Sequence, residues 1–181
     1  MLPTLLTSRF QLRPLVGPDE PLYVSIYSDE ALMRFVGEPM TPLGAAEAFK
    51  AFLQSNRRAD LQRACCWVIE EREGDASTVG LLALIPHVAA AEIGVMVLGD
   101  WQGRKVAQET IGFLSGYLFQ HTEWTRTFSR HVRANQAGAG VMRRLGFREM
   151  EDVPGGEAFR GWEMTRGEWL DRACATPQVL A

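Results

Sequence analysis

Across Arg9 to Leu15, RFQLRPL, Phe10 and Leu12 alternate with Gln11 and Arg13, the two-residue period of a half-buried strand, and Pro14 closes the run. Pro18, Asp19 and Glu20 are helix-opening residues, and Leu22, Tyr23, Ile26 and Tyr27 then recur at helical spacing. Thr41-Pro42 opens a second helix with Ala45, Ala48, Phe49, Phe52 and Leu53 on one face. Two β-rich runs, Cys65 to Glu70 and Thr78 to Ile85, flank EREGDAS, whose Gly74 and Asp75 suit a hairpin turn. A third strand is expected from Glu92 to Leu98. The pattern then predicts a long helix from Val106 to His121, a strand from Thr127 to Arg133 and a helix from Gln136 to Leu145. Strands at Phe147 to Glu151 and Phe159 to Met164 complete the set, and residues 173–181 read as a frayed tail.

This order places three strands in an antiparallel meander and then passes through a helix to a parallel neighbour. An α/β fold follows, with one mixed sheet of about seven strands flanked by about four helices. No repeat or linker divides the chain, so residues 1–172 are expected to form one domain.

Composition narrows the possibilities further. With 181 residues, 46% of them hydrophobic, the chain can bury one substantial core. A net charge of -3 provides no basic stripe for nucleic acid or an anionic membrane. Cys65, Cys66 and Cys174 follow neither metal-ligand spacing nor the pattern of a disulfide scaffold, so no metal is expected. The N-terminal MLPTLLTSRF lacks the features of a signal peptide, and no apolar run is long enough to span a bilayer. A cytoplasmic location is the resulting expectation.

The segment VMVLGDWQGRKVAQET, Val95 to Thr110, carries the first chemical signal. A strand enters a glycine-containing loop that opens a helix, so unpaired N–H groups gather at a positive helix end, where a phosphate or pyrophosphate fits. Arg104 and Lys105 add charge there, although a plain turn glycine beside two solvated cations would read the same way. A second signal is VRANQAGAGVMRRLGF, in which Asn135 precedes an amphipathic helix that ends at Gly146-Phe147. Asn135 is also a good helix cap in its own right.

Together these segments resemble the GNAT superfamily of N-acetyltransferases. Gln102-Gly103-Arg104-Lys105-Val106-Ala107 is similar to the family's Q/R-x-x-G-x-G/A loop, and Asn135 with Gly146-Phe147 to its N-x-x-S/A and G-F pair. LTSRFQLRPL, YSDEALMRFVG and AEIGVMVLGDWQGRKVAQE resemble the ribosomal-protein alanine N-acetyltransferase branch, so the likeness spans about Leu5 to Phe147. The resemblance implies a pyrophosphate of acetyl-CoA on the loop and Asn135 against the CoA arm. It also implies a pantetheine arm along the edge of Val95, Met96 and Val97, between two splayed parallel strands. Trp101 would support the loop.

The implied activity is acyl transfer from acetyl-CoA to an amine acceptor, a small molecule or a protein N-terminus, by direct attack. A homodimer stays open. The chain departs from the family at Lys105, which replaces a glycine, and at Gly138, Met142 and Arg130, where relatives carry serine, tyrosine and glutamate. Among the remaining proton carriers, Glu92 at the start of the cofactor strand and His131 on its neighbour are the catalytic candidates. A strand-end carboxylate and a packed histidine are the alternatives, and His87 and Glu109 are weaker candidates of the same kind. Cys65 and Cys66 have no activating base in view, which argues against a covalent intermediate. Two other functions stay open, transfer from a longer acyl-CoA or an acyl carrier protein, and a binding module without chemistry.

Overall fold

The computed structural model describes residues 2–175. In chain order, β1 (Leu5–Leu6) and β2 (Phe10–Pro14) lead to α1 (Glu20–Ser28), α2 (Glu30–Met33) and α3 (Pro42–Arg57). The meander β3 (Cys65–Glu71), β4 (Thr78–Pro86) and β5 (Ala91–Val97) is followed by α4 (Val106–His121) and β6 (Arg126–Val132). The chain continues through α5 (Gln136–Leu145), β7 (Arg148–Glu149), β8 (Phe159–Thr165) and α6 (Arg166–Ala175). One mixed sheet has the order β1-β2-β3-β4-β5-β6-β8-β7, and among the described residues its one parallel pair is β5 with β6.

The apolar run of β3 reflects burial on both faces. Cys65, Trp67 and Ile69 enter a core shared with α4 and α5, through Ile111, Leu114, Leu118, Ala139 and Met142. Cys66 and Val68 enter a second core with Tyr23, Ile26, Met33 and Phe49 from the first three helices. Alternate residues of one strand thus serve opposite layers. Opposite Glu70 the register slips, so Val79 joins Leu82 and Leu84 in the first core while Leu81 points into the second.

The mixed sheet agrees with expectation, but with eight strands and six α-helices among the described residues. Two short elements, β1 and α2, give too few residues for a visible period. At the C-terminus α6 runs into the expected tail as far as Ala175, and positions 176–181 lie outside the described residues. The expected strand from Phe147 to Glu151 shrinks to Arg148–Glu149, and Phe147 packs into the core. Trp67, on the other side of the sheet from Tyr23 and Met33, donates its indole N–H to Pro3 O.

Candidate functional site

The site begins where β5 and β6 separate. They pair only at Ala91–Thr127 and Glu92–Phe128, although β5 stays on β4 as far as Val97 and β6 stays on β8 as far as Val132. Beyond Glu92 a wedge therefore opens between Ile93–Val97 and Ser129–Val132. Leu98 donates to Val79 O at 2.9 Å, so the even positions of β5 direct their backbone groups toward β4. By strand alternation, Ile93, Val95 and Val97 present N–H and C=O to the wedge. Gln102 Nε2 donates to Val97 O at 3.1 Å, as that direction requires. Met96 differs from its two neighbours, since its side chain packs into the second core.

At the open end of the wedge, the loop from Gly99 turns into α4. Gly103 has φ +76°, and Lys105, the residue before the helix, adopts the left-handed conformation at φ +64° and ψ +17°. The first backbone bond of the helix is Glu109 N to Lys105 O, at 3.0 Å. The amides of Val106, Ala107 and Gln108 consequently have no intrahelical acceptor and are available to an anion. Among the described residues Lys105 makes no ion pair. The Arg104 guanidinium lies over the Trp101 ring, which meets Phe10 edge-on, so Trp101 does brace the loop. Val106 is buried and offers only its backbone.

Glu109 proves to be a clamp. One carboxylate oxygen accepts from Thr7 Oγ1 at 2.7 Å and from the Arg9 amide at 2.8 Å, and the other from Arg9 Nε at 2.8 Å. Arg9 also donates to Arg104 O. Burial alone would raise the carboxyl, but the bonds from Thr7 and Arg9 outweigh it and hold the group below its ordinary range. A depressed carboxylate stabilises the fold above its unfolded value near 4.5 and loses that contribution as pH falls through the folded value. Glu109→Gln is therefore expected to cost about 1–2 kcal/mol at pH 7, measured by urea denaturation. The deficit should shrink once both proteins are taken well below pH 4.5.

His131 and Asn135 sit at the far end of β6. Trp162 Nε1 donates to His131 Nε2 at 3.0 Å, and His131 Nδ1 lies 2.9 Å from Val132 O, so the proton is on Nδ1 and both nitrogens are engaged. Burial holds the imidazole neutral, below its usual range. As a proton carrier His131 would first have to break one of these bonds. Asn135 Oδ1 accepts from Gly138 N at 2.8 Å and caps α5, which leaves Nδ2 without an acceptor among the described residues. A Cβ on Gly138 would stand 2.9 Å from that Nδ2 and 3.0 Å from His131 Cδ2, so the glycine fits a site these two side chains already fill. Met142, at another departure from the family, is core.

Glu92 lies at the apex of the wedge and is only 8% exposed. Oε1 accepts from Arg130 Nε at 2.9 Å, and Oε2 is 3.1 Å from His87 Nε2. Arg130 Nη1 donates to Pro154 O and the guanidinium lies over Phe159. At Gly94, two residues along the same face, a methyl group would meet nothing within 4 Å, so the floor beside Glu92 is open. Burial pushes the Cys65 thiol up to about 12 and Cys66 higher still, which removes both as nucleophiles. No group of His, Cys, Asp and Glu among the described residues is arranged to hold a metal, and no described helix is long and apolar enough to cross a membrane.

The fold is that of an α/β transferase domain. The chain belongs to the acetyltransferase (GNAT) domain family, which it matches over residues 9–148. No curated protein matches it. Among solved structures, an acetyltransferase from Agrobacterium tumefaciens has TM-score 0.78 at 20% identity, covering 91% of this chain and 95% of that one. Spermidine N-acetyltransferase from Vibrio cholerae, in complex with CoA and spermine, has TM-score 0.73 at 18% identity, covering 90% and 99%. Ribosomal-protein-S5-alanine acetyltransferase from Vibrio fischeri has TM-score 0.71 at 13% identity, covering 92% and 98%.

Proposed function

We propose that this protein transfers an acetyl group from acetyl-CoA to a primary amine by direct attack within a ternary complex. The observation that carries the reading is the wedge, which opens after two paired residues and leads to the free amides of α4. In this reading the pantetheine arm extends the sheet along Val95 and Val97, and the pyrophosphate sits on the amides of Val106 and Ala107 beside Lys105. Gln102, Gly103 and Arg104 shape that loop, and Asn135 Nδ2 donates to the arm.

An N–H of β5 facing the wedge polarises the thioester carbonyl as an oxyanion donor. The amine approaches over Gly94, and the Glu92 carboxylate, paired with Arg130, draws in its ammonium form. The engaged nitrogens of His131 favour a supporting role, holding Trp162 and the α5 cap in place. The CoA and spermine bound to the Vibrio cholerae relative support a CoA donor and an amine acceptor.

The test is a thermal-shift titration with acetyl-CoA, CoA and a nucleotide-free pantetheine thioester. Acetyl-CoA and CoA should each stabilise the fold by about 2.7 kcal/mol at a hundredfold excess over Kd, and the pantetheine thioester by much less. Turnover is then sought with spermine, a peptide with N-terminal alanine, and ethanolamine, by following thiol release. A folded protein that no CoA compound stabilises would point to a carrier-linked donor or to a module without chemistry.

A further inference from the structure

The acyltransferase reading needs a group that takes the proton from the incoming ammonium. Resting on that reading, we infer that this group is His87, oriented by Glu92 as a carboxylate–imidazole pair. His87 follows β4 directly, and its side chain is 40% exposed. The ring meets Phe128 edge-on at 5.0 Å, and Phe128 is the residue paired with Glu92 across the apex. The imidazole therefore lies on the face of the sheet that carries Glu92, Arg130 and the open floor at Gly94.

The bonding separates the roles of the two acids and bases. Glu92 is buried, and both its oxygens are engaged, one by a guanidinium that does not deprotonate in proteins. Accepting a proton would cost it that ion pair. His87 presents Nε2 to the carboxylate, which assigns the hydrogen to that nitrogen and leaves the Nδ1 lone pair outward, with no partner among the described residues. A carboxylate behind an imidazole fixes its tautomer and stabilises the cation formed when the other nitrogen takes a proton. The charged groups facing the imidazole are Glu92 from β5 and, through Glu92, Arg130 from β6.

His87 Nδ1, directly or through one water, takes one proton from R–NH3+, and the freed nitrogen lone pair forms a C–N bond to the thioester carbonyl carbon. The C–S bond breaks as the tetrahedral intermediate collapses. The departing thiolate takes the second nitrogen proton, and the imidazolium returns its own to solvent. No oxidant, metal or further reactant is required. Glu92 acts as the positioning residue.

Whichever of spermine, the N-terminal alanine peptide or ethanolamine turns over is used to compare wild type, His87→Gln, His87→Gly and Glu92→Gln. His87→Gln is expected to lower kcat about 100-fold or more and to abolish the acidic limb of the kcat/KM profile. Thermal stabilisation by acetyl-CoA should be unchanged, which verifies folding and donor binding. Added imidazole should restore turnover in His87→Gly but not in Glu92→Gln, which keeps its own imidazole and its acidic limb. Wild-type kcat and acidic limb in His87→Gln, with acetyl-CoA still stabilising it, would overturn the role of His87 while leaving the acyltransferase reading intact. A wild type that neither binds acetyl-CoA nor acetylates any of the three amines would overturn both.

Discussion

Replacing Gly80 with alanine is expected to lower stability by about 3 kcal/mol, a fall in Tm of roughly 6–12 °C for a chain of this size. Gly80 sits in the register slip of β4, where the strand lies tightly against β5. A Cβ there would press into the Met96 carbonyl oxygen and stand 3.1 Å from Val97 Cα, and neither backbone atom can swing away as a side chain could. Relief requires β5 to move, and β5 forms one wall of the wedge. The same variant should therefore bind acetyl-CoA more weakly than its residual folded fraction explains. Gly94→Ala is the matched control, since a Cβ there meets nothing within 4 Å, and its stability should stay within about 0.5 kcal/mol of wild type. Differential scanning calorimetry with and without acetyl-CoA checks both. An unchanged Tm in Gly80→Ala would show that β5 yields to the contact at little cost.

At Lys105 the expected effect falls on the donor. Lys105→Glu should weaken acetyl-CoA binding about 10–100-fold, equivalent to about 1.4–2.8 kcal/mol, and the loss should shrink as salt is added. Tm without donor should barely change, because the side chain makes no ion pair among the described residues. Lys105→Gly separates charge from backbone. An L-residue in the left-handed region carries a steric cost of about 1 kcal/mol that glycine escapes, while glycine loosens the unfolded chain by a similar amount. Its stability should therefore stay within about 1 kcal/mol of wild type, and its affinity should fall between wild type and Lys105→Glu. Isothermal titration calorimetry gives the affinities, and equal values for all three would remove Lys105 from the donor site.

Much of this architecture was legible in the chain because its signals are local. Two-sided burial gives β3 its unbroken Cys65–Ile69 run, and the strand–glycine–helix sequence from Val95 to Val106 marks the loop wherever the sheet takes it. The helix α6 also left a signal, a capping box from Thr165 to Glu168. Glu168 Oε2 accepts from the Thr165 amide and hydroxyl at 2.8 and 2.7 Å, and Thr165 Oγ1 accepts from Glu168 N. Gly167 inside the first turn weakened that pattern. The bonding of Glu92 was not legible, because Arg130 reaches it across the parallel crossover and is 38 residues away in sequence. The same holds for His131, whose availability depends on Trp162 from a strand 31 residues further on. Residue type named the candidates, but only the sheet order decides which of their atoms are already engaged.

The Glu109 clamp has a practical consequence for handling the protein. It joins residues about 100 positions apart, with Leu2 buried just upstream, so a disturbance of residues 2–10 is expected to reach the loop before α4. A purification tag fused directly to the amino terminus, or its proteolytic trimming, should be felt first as weaker retention on a CoA affinity resin.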